Sequence, residues 1–421
     1  MLESILNSLR SPELRNKLLF TAFILIIFRF GSFVPVPGVD LEALEASLAN
    51  NGSQVLQFLN LFAGGALTRF AVFALGIMPY ITASIILQLM TVVIPSLEKL
   101  QKEGESGTQK ITQYTRYLTV GLAFFQSIAY VMYFRSQDAL PGLDVQSFYL
   151  IVLSLTAGTT MVMWLGELIT QRGVGNGISL LIFASIVASV PSAISGWLAL
   201  APVTQAVILL LVLAVVVGVV FVNEGQRRIP IQYAKRVVGR RMTSGGTTYM
   251  PLRVNMAGVI PVIFAASVVI IPPTLAELGG AASGTFTTIA EYLSPGSWYY
   301  IIFEALLIIM FTYFYTAVQF NPVDQADNLK KHGGFIPGVR PGRPTAVYLD
   351  RVVTRLTLPG AVYLAIVAEI PNLAFQWLPS ANTVFGVIGG TSILSIVGVA
   401  LDTIRQMEAQ IMMRQYEGFL K

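Results

Sequence analysis

The chain has 421 residues, of which 54% are hydrophobic and 12% charged, and its formal net charge is +5. Soluble domains carry about 25% charged residues, so this composition excludes an ordinary soluble domain and indicates an integral membrane protein. The absence of cysteine excludes disulfides, and the single histidine, His332, argues against histidine-based metal sites. No cofactor is expected.

Apolar windows of about 20 residues predict an all-α polytopic fold with ten membrane-spanning helices. The predicted spans are 18–36, 72–94, 114–134, 148–169, 178–198, 204–223, 256–273, 298–319, 352–376 and 383–402. The ninth window is the weakest, because it contains two prolines and a glutamate. The charged start leads into a run without a small-residue cleavage site, so this run is interpreted as the first span and not as a signal peptide.

The distribution of lysine and arginine predicts the orientation of the spans. If the N-terminus lies inside, every Lys and Arg falls in an inside segment except Arg29, Arg69 and Arg135. Ten spans then place both termini in the cytoplasm of a multi-pass protein of the cell membrane. The reverse topology would violate the positive-inside rule severely.

An internal repeat connects the second and seventh spans. Gly76–Ala83 and Gly258–Ala265 share the pattern G-φ-x-P-x-I-x-A, and a weaker similarity connects Gly177–Leu181 with Gly390–Leu394. Five spans in each half make the second half an inverted copy of the first, and broken helices at equivalent positions then mark the functional path. The alternative is chance similarity between apolar sequences.

These observations divide the chain into two halves with their own loops. The predicted divisions are an N-terminal half 1–200, a C-terminal half 201–421, cytoplasmic loops 224–255 and 320–351, and a cytoplasmic tail 403–421.

A segment too short and too polar to span the membrane precedes the second span. It reads NLFAGGALTRF, Asn60–Phe70, and contains Gly64, Gly65 and Arg69. Arginine at the bilayer centre costs about 2.5 to 3.5 kcal/mol on insertion scales. The segment is therefore predicted to be a short helix that folds back into a water-filled vestibule, where irregular backbone is tolerated.

The predicted path is lined by aliphatic side chains, namely Ile77, Ile81, Ile178, Ile182 and Ile263. Such side chains offer no ligand to an ion or small solute, but a ring of them forms a dewetted constriction. A ring that excludes ions and yields to objects of variable shape suits an extended polypeptide. The alternative is that these isoleucines only pack between helices or face lipid.

Apart from Arg116, Arg355 and Asp402 at the cytoplasmic span ends, few charged residues lie within the predicted spans: Arg29, Glu167, Glu304 and Glu369. Snorkelling or structural pairing explains most such residues, and Glu304 is the candidate for a mechanistic role. Metalloprotease, hydrolase and P-loop motifs are absent, so an enzyme is not expected.

The two long inside loops are basic. The loop Asn223–Asn255 mixes β-branched residues with charges and contains SGG, which predicts a projecting hairpin. The loop Asn321–Thr345 is rich in glycine and proline and presents Arg340 and Arg343. These loops are predicted to dock an acidic or RNA-containing partner, although positive-inside topology alone would also explain the charge.

Several motifs together resemble the SecY family of protein-conducting channels in its bacterial form. They are FALGIMPYITASIILQL, KEGESG, GNGIS, IPIQYAKRVVGRR, NMAGVIP, GGFIPGVRPG, GGTS and QYEGFL, and they extend over essentially the whole chain. The resemblance implies a clamshell of two inverted five-helix halves, an hourglass pore with an isoleucine-rich ring, a plug on the outer side, and a lateral gate toward lipid.

By motif, the resemblance assigns roles to individual residues. The pore ring is Ile77, Ile81, Ile178, Ile182, Ile263 and Ser395. The plug covers about 61–70 and includes Leu61, Phe62, Gly64, Gly65 and Arg69. The lateral gate contains Thr82 and Gln126, and the residues that dock a motor or ribosome are Lys235, Arg240, Arg241, Arg340 and Tyr416.

Two positions depart from the family pattern. Ser395 stands where the family has an aliphatic residue, and a small rotation of the tenth helix could present Leu394 instead. The seventh-helix residue paired with the polar gate cluster is the apolar Ile271, which leaves that cluster incomplete.

The resulting hypothesis is the pore subunit of a protein translocase that moves unfolded polypeptides outward and releases apolar segments into the lipid bilayer. The implied partners are SecE and SecG as small membrane subunits, a SecA ATPase or a ribosome, and signal peptides. The main alternative is an inverted-repeat secondary transporter of a small solute, which would need a polar midplane site. An intramembrane enzyme and an insertase without a through-pore are further alternatives.

Overall fold

The protein is described by a computed structural model that covers residues 12–37, 39, 59–136, 140, 144–233, 236–238, 241–243, 246–278, 292, 297–377, 384 and 389–419. The helices are α1 Pro12–Gly31, α2 Met78–Val93, α3 Pro95–Lys102, α4 Glu105–Ser136, α5 Val145–Arg172, α6 Gly177–Leu198, α7 Pro202–Glu224, α8 Ile260–Leu278, α9 Trp298–Gln319, α10 Pro322–Lys331, α11 Arg343–Trp377 and α12 Gly390–Phe419. The strands are β1 Gln226–Tyr233, β2 Arg236–Val238, β3 Arg241–Thr243, β4 Thr247–Arg253 and β5 Gly334–Phe335.

Each of the ten predicted spans overlaps a helix, and the all-helical membrane fold is confirmed. Over the described ranges, six helices are long and apolar enough to cross a membrane, or seven if α2 and α3, bent by 99° against each other, form one broken span. Helices α1, α8 and α12 also coincide with predicted spans; α1 and α12 contain charged residues, and the apolar part of α8, Ile260–Val269, is short.

The helix contacts within the first five spans recur within the last five. In the first set, α2 contacts α4, α4 contacts α5, α5 contacts α6, and α1 contacts α5 and α6. In the second set, α8 contacts α9, α9 contacts α11, α11 contacts α12, and α7 contacts α11 and α12. The two sets meet where α8 contacts α2 and α4, and where α6 contacts α12. These two lines of contact border the space between the sets.

The loop after α7 forms the hairpin that its sequence predicts. Strands β1 and β4 pair antiparallel, with Gln226 opposite Arg253, and β2 and β3 form a second pair. Strand β5, from the loop after α9, adds to the other edge of β1 in the order β4-β1-β5. Ile229 and Leu252 of the sheet share a small apolar cluster with Leu349 at the start of α11. The two basic loops therefore form one body, which the sequence does not predict.

Helix α10 lies in the loop Asn321–Thr345, which is rich in glycine and proline and for which no helix was predicted. Asn321 is its N-cap, and the side-chain oxygen accepts hydrogen bonds from Val323 N at 3.0 Å and Asp324 N at 3.5 Å. Pro322 follows at the first helical position, where its missing N–H costs nothing. This capping signature is present in the sequence.

Candidate functional site

The two repeated motifs fold into the same turn. Gly76 and Gly258 have φ angles of 57° and 65°, in the left-handed region that favours glycine. Helices α2 and α8 each begin two residues later, so that Pro79 and Pro261 are second residues of their helices. Proline is compatible with the first turn of a helix because the N–H groups there have no intrahelical acceptor. The prolines therefore lie where these helices begin, and the spans predicted to start at 72 and 256 start later.

The predicted ring residues converge from three helices. Ile77, Ile81, Ile182 and Ile263 are buried in one apolar cluster, and the half-buried Ile178 packs against it. A Cβ placed on Gly166 of α5 would lie 3.5 Å from Ile178 Cγ1 and 3.7 Å from Ile77 Cδ1, so these two side chains come together at Gly166.

The ring position that was predicted in the tenth span lies in α12, where two neighbouring residues are buried. Ser395 is fully buried, and its hydroxyl has no hydrogen-bond partner within the described part of the chain. Leu394 is also fully buried and belongs to the same apolar cluster as the four buried isoleucines. A buried hydroxyl without a partner costs about 1 to 3 kcal/mol, whereas the leucine matches its surroundings.

The predicted plug is compact, but it is mostly not a helix. The helix that contains Leu61 and Phe62 ends at residue 62, and the chain then forms turns up to residue 77. The prediction of a short helix was wrong from residue 63 on, because Gly64 and Gly65 adopt left-handed φ angles of 65° and 83°. Leu61 and Phe62 are buried, whereas Arg69 is exposed.

Close backbone contacts fix the plug against the helices around it. A Cβ on Gly64 would lie 3.3 Å from Ser185 Cα of α6, and a Cβ on Gly76 would lie 3.1 Å from Ala63 Cα. The segment therefore fills the space between α6 and the start of α2.

The predicted gate residues share one cavity between the two helix sets. Its volume is about 340 Å³, and its walls come from α2, α4, α8 and residues 59–75. Thr82, Gln126 and Ile271 line it together with Ser267 of α8, which the sequence analysis missed. Ser267 lies one helical turn before Ile271, so helical periodicity could have identified it.

The gate hydroxyls are satisfied within their own helices. Thr82 Oγ1 donates to Met78 O at 3.1 Å, and Ser267 Oγ donates to Ile263 O at 2.7 Å. Neither hydroxyl bonds across the cavity, and most of the residues that line it are apolar. Apolar contacts of α8 with α2 and α4 can be replaced by another apolar surface without leaving a buried polar group unpaired.

A second, polar cavity of about 270 Å³ lies at the start of α8 and extends to Ile263. We refer to it as the vestibule; its polar lining includes Asn176, Asn223, Arg253, Asn255, Gln319, Asp402 and Arg405. Within it, Asn255 Nδ2 donates to Asn223 Oδ1 at 2.9 Å and to Gly258 O at 3.1 Å. Arg405 Nη2 donates to Asn223 O at 2.7 Å and to Glu224 Oε1 at 2.7 Å. This network connects the end of α7 and the middle of α12 to the turn before α8.

Of the predicted docking residues, Arg340 has a described side chain. It is exposed, and its backbone carbonyl accepts a hydrogen bond from Thr345 Oγ1 at 2.9 Å. Lys235 and Arg240 lie outside the described residues. Arg241 lies in β3 and Tyr416 in α12, but their side chains are outside the description.

The charged residues within the spans fall into three arrangements. Glu167 of α5 pairs with Arg116 of α4 through two contacts, Nε–Oε1 at 2.8 Å and Nη2–Oε2 at 2.7 Å. Glu304 of α9 and Glu369 of α11 are buried and contact each other, and Glu369 accepts a hydrogen bond from Asn372 Nδ2 at 2.8 Å. Arg29 contacts the plug. A mechanistic role for Glu304 stays a prediction.

The fold and the site together define a polytopic helical membrane protein with a buried apolar cluster between two helix sets. A family model described as SecY matches residues 71–404. The Protein translocase subunit SecY of Mycobacterium bovis is 49% identical over 442 residues, with 100% of both chains covered. This chain belongs to the SecY family.

Solved structures of the same fold are more distant in sequence. One is described as showing that the plug domain of SecY stabilizes the closed state of the translocation channel and maintains a membrane seal. It has a TM-score of 0.65 and 18% identity, covering 93% of this chain and 91% of that one. Another, described as Sec61 in the canine ribosome-channel complex from the endoplasmic reticulum, has a TM-score of 0.61 at 18% identity, with the same coverage of both chains.

Proposed function

We propose that this protein is the central pore-forming subunit of a Sec protein translocase. It conducts unfolded secretory polypeptides across the membrane and releases apolar segments sideways into lipid. The observation that carries the proposal is a continuous series of features between the helix sets. The polar vestibule extends to Ile263, Ile263 belongs to the cluster of the predicted ring, and residues 61–70 close the cluster against α6.

The pore ring consists of Ile77, Ile81, Ile178, Ile182 and Ile263, with Leu394 as the apolar residue that α12 contributes. Ions would have to shed water to pass an aliphatic constriction of this kind, so the ring blocks them when no chain is present. Aliphatic side chains change rotamer without breaking hydrogen bonds, so the ring adapts to successive residues of a moving chain. The protein performs no covalent chemistry in this account.

The lateral gate is the contact of α8 with α2 and α4 around the cavity lined by Thr82, Gln126, Ser267 and Ile271. A signal sequence of about 20 apolar residues prefers lipid to water, so a gate that opens transiently lets it partition by hydrophobicity. The cavity accepts such a segment because its Thr82 and Ser267 hydroxyls are already paired within their own helices.

The chain divides into halves 1–200 and 201–421 that move as two bodies. The recurrence of helix contacts within each set and the sparse contacts between them support this division. The protein lies in the cell membrane with both termini in the cytoplasm, the orientation that the distribution of Lys and Arg favours.

The partners are the small subunits SecE and SecG in the membrane and a SecA motor or a ribosome on the basic face. Strand β5 joins the hairpin strand β1, so both basic loops form one projecting surface that presents Arg340. Lys235, Arg240 and Arg241 lie between β1 and β4 in the sequence, and Tyr416 lies in the tail. The related Sec61 structure is described as part of a ribosome-channel complex, which agrees with such a surface.

A cross-linking experiment tests the gate and the translocation function together. The chain lacks cysteine, so a Thr82→Cys/Ser267→Cys pair can be bridged across the gate cavity with a short bifunctional maleimide. In vesicles with the motor and small subunits, bridging should abolish protease protection of a secretory precursor. The single variants, treated in the same way, should retain it.

A matched control bridges two helices of one half. Ser127 Oγ of α4 and Thr156 Oγ1 of α5 are 3.3 Å apart, so a Ser127→Cys/Thr156→Cys pair can be joined directly by oxidation to a disulfide, without crossing the gate. Equal translocation by both bridged pairs would contradict the lateral gate. Failure of the untreated wild-type protein to translocate any precursor would contradict the proposed function.

A further inference from the structure

The last turn of α1 is hydrogen-bonded to the plug. Arg29 Nη1, in the last turn of α1, donates a hydrogen bond to Gly64 O. Gly64 is one of the two left-handed glycines that end the plug's helical turn. Carbonyl oxygens at a helix end lack intrahelical donors, so the guanidinium supplies a donor that the plug's own backbone lacks.

The same guanidinium lies beside a second positive charge. Arg29 Cζ is 4.7 Å and Arg69 Cζ is 4.2 Å from the centre of the Phe33 ring. Within the described ranges, neither arginine forms a salt bridge with a carboxylate. Among the described residues, the Gly64 carbonyl and the face of the Phe33 ring are the groups that offset the desolvation of Arg29 and its repulsion from Arg69.

The downstream end of the plug is attached differently. Val36 N donates to Phe70 O at 3.0 Å, and Val72 N donates to Val34 O at 2.9 Å, which gives a short antiparallel bridge. Phe70 is fully buried and packs edge-on against Phe134, with ring centres 5.1 Å apart. Backbone pairing and aromatic packing anchor this end. Among the described residues, the Gly64 end is held to other helices by apolar packing, by the contact with Ser185 and by one hydrogen bond, from Arg29.

We propose that Arg29 is the latch of the plug, and that residues 61–67 move away from α6 when this bond breaks while the bridge at Phe70 stays closed. The proposal rests on the plug function proposed above. Arg29 is a positioning residue: it holds the plug in the closed channel and does not line the pore. A polypeptide entering from the vestibule displaces the plug at the end that apolar packing and one hydrogen bond from another helix retain.

The test is ion leak through the resting channel. The protein, purified with its small subunits, is reconstituted into phospholipid vesicles, and halide entry is followed with a quenchable dye in the absence of motor and substrate. Arg29→Met should raise the leak about tenfold or more, because a hydrogen bond from a charged group to the plug is lost. Arg29→Lys should give an intermediate leak, since lysine keeps one charged donor without the planar fork.

Matched variants separate the latch from other effects. Arg135→Met removes an equal charge from an exposed arginine on the same predicted outer side and should leave the leak unchanged. Protease resistance of the reconstituted protein confirms that each variant is folded. If Arg29→Met proves misfolded, the test uses the folded Arg29→Lys variant instead. A leak equal to that of the wild type in this variant would overturn the proposal that Arg29 is the latch.

Deletion of 61–67 distinguishes failure of the latch from failure of the plug. A leak on deletion, together with a wild-type leak in a folded Arg29→Met variant, would overturn the latch and leave the plug proposal intact. No leak on deletion would overturn both. A leak in the deletion variant and in Arg29→Met, but not in Arg135→Met, is the expected result.

Discussion

The turns that start α2 and α8 have the same backbone but different surroundings. A Cβ on Gly76 would lie 3.1 Å from Ala63 Cα in the plug, whereas among the described residues a Cβ on Gly258 would meet only Asp402 Oδ2 at 3.8 Å. The first turn is therefore covered by the plug, and the second borders the polar vestibule. The repeated motif determines how each helix begins, and the neighbouring segment determines whether the turn is covered or borders a cavity.

Helices α6 and α12, the last helices of the two sets, begin with the same glycine motif, and the two glycines have similar surroundings. A Cβ on Gly177 at the start of α6 would lie 1.9 Å from Gly166 O of α5. A Cβ on Gly390 at the start of α12 would lie 2.3 Å from Val367 O of α11. Both glycines allow one helix to begin against the backbone of its neighbour, and α6 contacts α12 where the sets join. The halves are thus equivalent at this junction and differ at the gate.

The largest effect should follow from filling these equivalent helix contacts. Gly177→Ala and Gly390→Ala each place a methyl group against a backbone carbonyl and should destabilise the protein by about 3 kcal/mol. Thermal unfolding in detergent should show similar losses for both. Gly121→Ala, where nothing lies within 4 Å, should be neutral or stabilising by up to about 1 kcal/mol. A large loss at one glycine alone would contradict the equivalence.

A smaller effect should distinguish the second turn from the first. Asn255→Leu removes the donors to Asn223 Oδ1 and Gly258 O and should destabilise the protein by about 2 kcal/mol. Because this network holds the start of α8, resting ion leak should rise as well. Gln146→Leu, at an exposed position in α5, is the control for the added apolar side chain. Unchanged stability and leak in Asn255→Leu would show that the network does not hold the helix.

The smallest effect concerns the short helices that follow α2 and α9. Helix α10 has the side-chain cap Asn321, whereas Ile94 at the start of α3 provides no capping hydrogen bond. Asn321→Ala should cost about 1 kcal/mol of local stability, seen as faster amide hydrogen exchange in 322–331. Ile94→Ala removes no cap and should not change the exchange of α3 in this way. Equal acceleration in both helices would mean that the cap is unimportant.

Local signals in the sequence predicted the positions of the membrane helices and of the two turns. Each of the ten apolar windows coincided with a helix, and the pattern of a glycine three residues before a proline correctly identified the turns at Gly76 and Gly258. The exact helix starts were harder to predict, since the apolar residues before Gly76 belong to turns and do not extend α2. Hydropathy does not distinguish an apolar turn buried between helices from the first turn of a helix.

The contacts that the sequence did not reveal join distant residues. Arg405 bonds to Asn223 across 182 positions, and Arg29 bonds to Gly64 across 35. Neither pair has a spacing that periodicity could detect. Ser267 was missed although it lies one turn from Ile271, because the family pattern directed attention to the apolar residue.

The most direct test of the pore uses one isoleucine from each helix set. Ile81→Cys of α2 and Ile263→Cys of α8 are prepared separately, and a secretory chain with one cysteine is stalled midway. On oxidation, both variants should form a disulfide that requires the stalled chain, whereas Leu210→Cys on α7, where Leu210 is 70% exposed, should form none. A channel that stalls the chain but forms no disulfide at either isoleucine would show that these side chains only pack between helices, and the central claim would be wrong.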